Sequence, residues 1–193
     1  MVYSRKVKGE VYTFGVSGLL YKSNVVLYDH QTESLWSQLM EKSIAGPLAG
    51  TKLEKIDSTR TSWETWKERN PSTAVLSTDT GYERDYAVDP YEGYYRFFGV
   101  WFPVGDVRRD LSPKDRVLGI EVKGKAKAYP LTVLRQKPGI LTDEIAGEPI
   151  RMEITPAGEV IGVKDQMGRQ VSSIYSYWFS WQAFHPATEV YRK

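Results

Sequence analysis

Two histidines, His30 and His185, are the only imidazoles in this 193-residue chain, so imidazole-based proton transfer or metal ligation rests on them alone. Asp29, Glu33 and Glu189 are the neighbouring carboxylates that could complete a ligand set. A histidine following a strand is more often a hydrogen-bonded turn residue, and His185-Pro186 reads as a bend. No metal site is therefore predicted, His30 and His185 being the candidates if one exists, and no cofactor is predicted.

The segment from Thr78 to Arg96, TDTGYERDYAVDPYEGYYR, offers a second chemistry. It sets Tyr82, Tyr86, Tyr91, Tyr94 and Tyr95 among Asp79, Glu83, Asp85, Asp89 and Glu92, beside Arg84 and Arg96. Tyrosine brings stacking area and a hydroxyl at small entropic cost, while Asp and Arg orient polar ligands. Gly81, Pro90 and Gly93 break regular structure, so the segment reads as a long loop that borders the principal pocket. The ligand-binding candidates are Tyr82, Arg84, Asp85, Tyr86, Asp89, Tyr91 and Tyr94, with Arg84, Asp85 and Asp89 forming a polar floor. The competing account is a loop pinned over a sheet by buried rings and Arg–Asp pairs. Asp79, Asp85 and Asp89 are oxygen ligands of the type calcium takes, but the EF-hand spacing is not met.

A third constellation, Tyr175 to Phe184 (YSYWFSWQAF), puts serine beside aromatic residues. No G-x-S-x-G elbow accompanies it, and alternation makes it a core strand. P-loop, dinucleotide-binding and H-E-x-x-H patterns are missing too, which argues against nucleotide-dependent chemistry. Paired carboxylates for glycoside hydrolysis converge only in space and stay open.

The elements that must position these residues are strands. Between Phe14 and Gln38, short runs of Val, Leu, Tyr, Phe and Trp are broken by Ser17-Gly18, Lys22-Ser23-Asn24 and Asp29-His30-Gln31. Five glycine turns separate further strand-like runs: Lys8-Gly9-Glu10, Ala49-Gly50-Thr51, Lys123-Gly124-Lys125, Ala146-Gly147-Glu148 and Ala157-Gly158-Glu159. One helix is expected from Thr61 to Arg69, with Thr61 as its cap, Asn70-Pro71 as its stop, and Trp63 and Trp66 anchoring it on a sheet. A second short turn starts at Pro130. The expected fold is mostly β, antiparallel hairpins forming a barrel-like or two-layer sandwich with one or two short helices and strand at least about twice helix. It forms a single domain over 1–193. The segments GEV…HQTESLW and GEV…HPATEVY suggest two related β-units, about 1–57 and 115–193, joined by the helix and the Tyr-rich segment.

FGVSGLLYKSN, LYDHQTESLWSQ, GPLAGTKLE and YWFSWQAFHPATEVY together resemble a family of bacterial and archaeal extracytoplasmic proteins known as a domain of unknown function. The resemblance covers nearly the whole chain. It implies a cell-envelope or periplasmic location and brings no reaction with it. Relatives carry an export signal or lipid anchor, and a further segment with a Trp-His pair and a Tyr-x-Pro stretch. Neither has a match in this chain, whose start reads as a strand. An open sheet edge near Val2, Tyr3 and Val7, relieved by self-association, is the expected consequence.

The chain has 26 basic and 24 acidic residues and no cysteine. The balance gives no reason to expect nucleic acid as a partner, and disulfides and thiolate chemistry are excluded. No run of about 18 apolar residues predicts a membrane span. These readings together point to a non-catalytic extracytoplasmic module that binds a small molecule, a carbohydrate or a protein partner. The alternative is a hydrolase or carbohydrate-active enzyme using Asp85, Asp89 and one histidine.

Overall fold

The computed structural model describes residues 1–58 and 60–192. Its first part is a run of strands: β1 (Val2–Tyr3), β2 (Lys6–Val7), β3 (Glu10–Val11), β4 (Phe14–Tyr21), β5 (Asn24–Asp29), β6 (Leu35–Ser37), β7 (Lys42–Ala45) and β8 (Lys55–Ile56). Two short helices follow, α1 (Trp63–Arg69) and α2 (Glu92–Arg96). The second part holds β9 (Arg116–Val122), β10 (Lys125–Pro130), α3 (Leu131–Leu134), β11 (Gly139–Ile145), β12 (Glu148–Ile154), β13 (Val160–Asp165), β14 (Ser173–Tyr177), α4 (Trp178–Phe184) and β15 (Glu189–Val190). Strand makes up 37% of the chain and helix 12%, which meets the expected excess. Among the described residues four short helices form rather than one or two, and of the barrel-like and sandwich alternatives no closed barrel is seen.

The glycine turns act as local chemistry dictates. A two-residue type I′ connection requires positive φ at both central positions. Lys8-Gly9, Lys123-Gly124 and Ala146-Gly147 supply it, with φ of 50° and 92°, 49° and 75°, and 54° and 77°. They join β2 to β3, β9 to β10 and β11 to β12.

The central sheet runs β14-β9-β10-β15, antiparallel except for the β10–β15 pair. It is covered on both faces, which explains why β9 reads as a near-continuous apolar run. Leu118 and Ile120 meet Ile150, Met152 and Val163 from the three-stranded sheet β11-β12-β13. Val117, on the opposite face, meets Ala128, Ile174, Trp178 and Trp181. A separate meander, β4-β5-β6-β7, contributes Trp36 to a second core completed by Val7 of β2 and by Tyr12 and Leu53 of the flanking segments. Tyr3 packs on that core and donates its hydroxyl to the Gln38 carbonyl at 2.5 Å. Of the face expected to be open at Val2, Tyr3 and Val7, the chain itself covers Tyr3 and Val7 and pairs β1 with β8, while the Val2 side chain stays 46% exposed.

Three other expectations are corrected. The aromatic run YSYWFSWQAF is a strand only to Tyr177, and Trp178–Phe184 is helix α4. A segment apolar on every side fits a buried helix as well as a buried strand, so periodicity could not separate them. The indoles settle it: Trp178 donates to the Arg108 carbonyl and Trp181 to the Thr188 hydroxyl, both at 2.9 Å. Helix α1 is capped by Ser62 rather than Thr61, whose hydroxyl donates instead to Glu159 at 2.6 Å. Trp63 and Trp66 stay 51% and 39% exposed, so they do not anchor the helix as core residues.

Candidate functional site: an aromatic cleft

Between the β4–β5 hairpin tip, the β14–α4 junction and the Tyr-rich segment lies an open cleft of about 570 Å³. The hairpin tip is fixed on α4: Asn24 donates to the Ser180 hydroxyl at 2.7 Å, and Lys22 donates to the Ala183 carbonyl at 2.5 Å. The floor comes from Tyr175, Ser176, Tyr177, Phe179 and Ser180. The facing wall comes from Tyr91, Tyr94, Tyr95, Trp101 and Phe102.

Tyr94 organises the wall. Its ring meets Trp101 edge-on at 4.8 Å and approaches Tyr177 across the cleft at 6.4 Å. The Lys114 ammonium sits 3.7 Å from the Tyr94 centroid and donates to the carbonyls of Tyr94 and Phe97. A half-exposed cation-on-ring contact with two carbonyl acceptors tethers α2 and the residues just after it. Burial, with Tyr177 nearby, pushes the Tyr94 hydroxyl above its ordinary range, so it stays a neutral donor at physiological pH.

Of the seven candidates from the sequence, Tyr91 and Tyr94 line the cleft, joined by Tyr95. Asp89 sits at the rim, influencing the Tyr95 hydroxyl and accepting from the Tyr91 backbone N–H at 2.8 Å. Tyr82, Arg84, Asp85 and Tyr86 are exposed and outside the lining. Arg84 lies over the Tyr82 ring at 5.8 Å, Tyr86 shares a hydrogen bond with Thr80, and Asp85 accepts from the Ala87 N–H. The polar floor expected from Arg84, Asp85 and Asp89 is therefore supplied by other residues. Sequence reasoning missed Arg60, Trp101, Phe102 and Arg116 as lining residues. The run FFGVWFP just past Arg96 was the available signal for two of them, being too aromatic for an ordinary loop.

The histidines have separate surroundings. His30 lies in the exposed turn after β5, its ring 4.8 Å from Tyr28. His185 caps the end of α4, stacks on Trp181 at 3.9 Å, and points Nδ1 at Glu121 at 3.3 Å. Its Nε2 is buried without a hydrogen-bond partner among the described residues. No group of three His, Asp or Glu side chains that could hold a metal ion occurs among the described residues.

Burial lowers the His185 pKa below the ordinary imidazole value, with Glu121 opposing the shift only in part. The unfolded chain binds this proton more readily than the folded one. His185 should therefore cost stability as pH falls through the ordinary imidazole range towards its lower folded value. Histidine ring NMR at stepped pH should show the His185 midpoint below about 6.5. A midpoint at or above that value would contradict the burial argument.

Asp29, a proposed metal ligand by sequence, is instead fully buried in the meander. Its carboxylate accepts from the Trp36 indole at 2.8 Å and the Thr32 backbone N–H at 2.6 Å, and from the Thr32 hydroxyl. Glu33 is the left-handed residue of the same turn, with φ of 55°. The DHQTESLW motif is therefore a folding device for the β5–β6 connection.

The fold and cleft define a mostly-β, open-sheet protein with an aromatic recess on one side. The chain belongs to the family described as "Protein of unknown function (DUF3179)", whose pattern matches residues 1–173. Comparison with curated proteins and with solved structures gives no match. No helix among the described residues is long and apolar enough to cross a membrane.

Proposed function

We propose that this protein is a non-catalytic binding module whose aromatic cleft holds a small-molecule or carbohydrate ligand. An extracytoplasmic location is part of the same reading and rests on the sequence resemblance alone. The observation that carries it is the concentration of eight aromatic residues around one open recess large enough for such a ligand. Tyr91 is 58% exposed there, more than a residue serving only to pin a loop needs to be. The enzymatic alternative needs Asp85, Asp89 and a histidine together, whereas both aspartates and both histidines lie outside this lining.

The uncharged fluorophore N-phenyl-1-naphthylamine is a suitable probe of the apolar walls. Tyr91→Ala should weaken its binding about fivefold, the effect of one aromatic contact of roughly 1 kcal/mol. The melting temperature should hold, since Tyr91 is mostly solvent-facing. Unchanged probe affinity, or a fall of many degrees in melting temperature, would favour a merely structural loop.

A further inference from the structure

We propose that the cleft selects small organic anions, each a flat apolar body bearing one carboxylate, sulfonate or phosphate group. This rests on the binding reading above and adds the charge of the ligand. Arg60 and Arg116 both line the recess, and no Asp or Glu does. Each guanidinium lies over a tyrosine of the floor, Arg60 at 5.7 Å from the Tyr175 centroid and Arg116 at 6.0 Å from that of Tyr177. Among the described residues neither forms an ion pair.

The carboxylates nearest the rim are already engaged. Asp89 accepts from the Tyr91 N–H, and Glu159 accepts from the Thr61 hydroxyl and the Ser62 N–H. The positive sign is local, because the whole chain carries a net charge of only +2. Two unpaired guanidinium forks held against rings present planar donor sets matched to carboxylate, sulfonate or phosphate oxygens. The aromatic walls take the apolar body, and the recess focuses the field of the two cations on the acidic group.

The test uses two dyes sharing one apolar body: 1-anilinonaphthalene-8-sulfonate, an anion, and neutral N-phenyl-1-naphthylamine. Dissociation constants are measured for the unaltered protein, Tyr91→Ala, and the double variant Arg60→Gln/Arg116→Gln. Both arginines are exposed, so the fold should tolerate the change. The double variant should weaken binding of the sulfonate about tenfold and of the neutral dye by much less. Added salt should weaken only the sulfonate. Benzoate and phenyl phosphate, as competitors, should displace the sulfonate and rank the acidic groups; failure of both counts against the proposal. If Tyr91→Ala affects neither dye, the cleft reading falls and this inference with it. If Tyr91→Ala weakens both dyes but the arginine variant spares the sulfonate, or weakens the two dyes equally, the cleft stands and the anion preference is overturned.

Discussion

Asp29→Ala is expected to lower the free energy of unfolding by about 3 to 4 kcal/mol, among the largest effects of any single polar substitution in this chain. The side chain is fully buried, and its removal strands the Trp36 indole N–H and the Thr32 N–H inside the meander core. A stranded buried donor costs the desolvation that its bond had offset. Asp29→Asn should cost less, because the amide oxygen still accepts from one donor; its remaining cost comes from the NH2 set against the other donor.

The pH dependence has a fixed sign. Burial alone would raise the Asp29 pKa, but the bonds from Trp36, Thr32 and the Gln31 backbone outweigh it and hold the carboxyl below the usual aspartate range. A group depressed in the folded state contributes stability that is complete above its unfolded value, about 3.9, and is lost as pH falls through the folded value. Urea unfolding at stepped pH should therefore show the gap between the unaltered protein and Asp29→Asn narrowing only in acid below about pH 4. A gap that is constant down through that range, or an Asp29→Ala cost below about 1 kcal/mol, would contradict the assignment.

Gly119→Val should cost about 3 kcal/mol, a fall in melting temperature of roughly 6 to 12 °C. Gly119 sits mid-strand in β9, and a Cβ placed there would lie 2.4 Å from carbons of the Trp181 ring. That ring cannot move aside cheaply. His185 stacks on it, and Thr188 holds its N–H. Trimming the obstacle should reveal the coupling: in Gly119→Val/Trp181→Leu the second change should recover part of the first loss. Strictly additive costs would show that the two sites do not collide.

The parts of this architecture that were legible in sequence are those decided by adjacent residues. Lys123-Gly124 and Ala146-Gly147 announce hairpins because Gly124 and Gly147 take the left-handed φ at no steric cost, while the turn holds Lys123 and Ala146 in it as well. Pro130 before Leu131–Leu134, and Asn70-Pro71 after α1, are likewise local signals, and both elements formed where expected. The abundance of strand followed from many such turns separating short β-type runs.

What the tertiary structure decided is which face each apolar or aromatic residue meets. Trp178 to Phe184 could bury its rings as helix or strand, and the distant partners at Arg108 and Thr188 chose the helix. In the Tyr-rich segment the composition was visible. The division between Tyr91 and Tyr94 in the cleft and Tyr82 and Tyr86 outside it depended on Lys114 tethering Tyr94, and on Trp101 and Tyr177 meeting its ring. Arg60 and Arg116 carried no local mark at all. They face the same recess because β9 and the segment before α1 both pass the β14 tyrosines, Tyr175 and Tyr177, a juxtaposition made by strand pairing and packing between residues far apart in the chain.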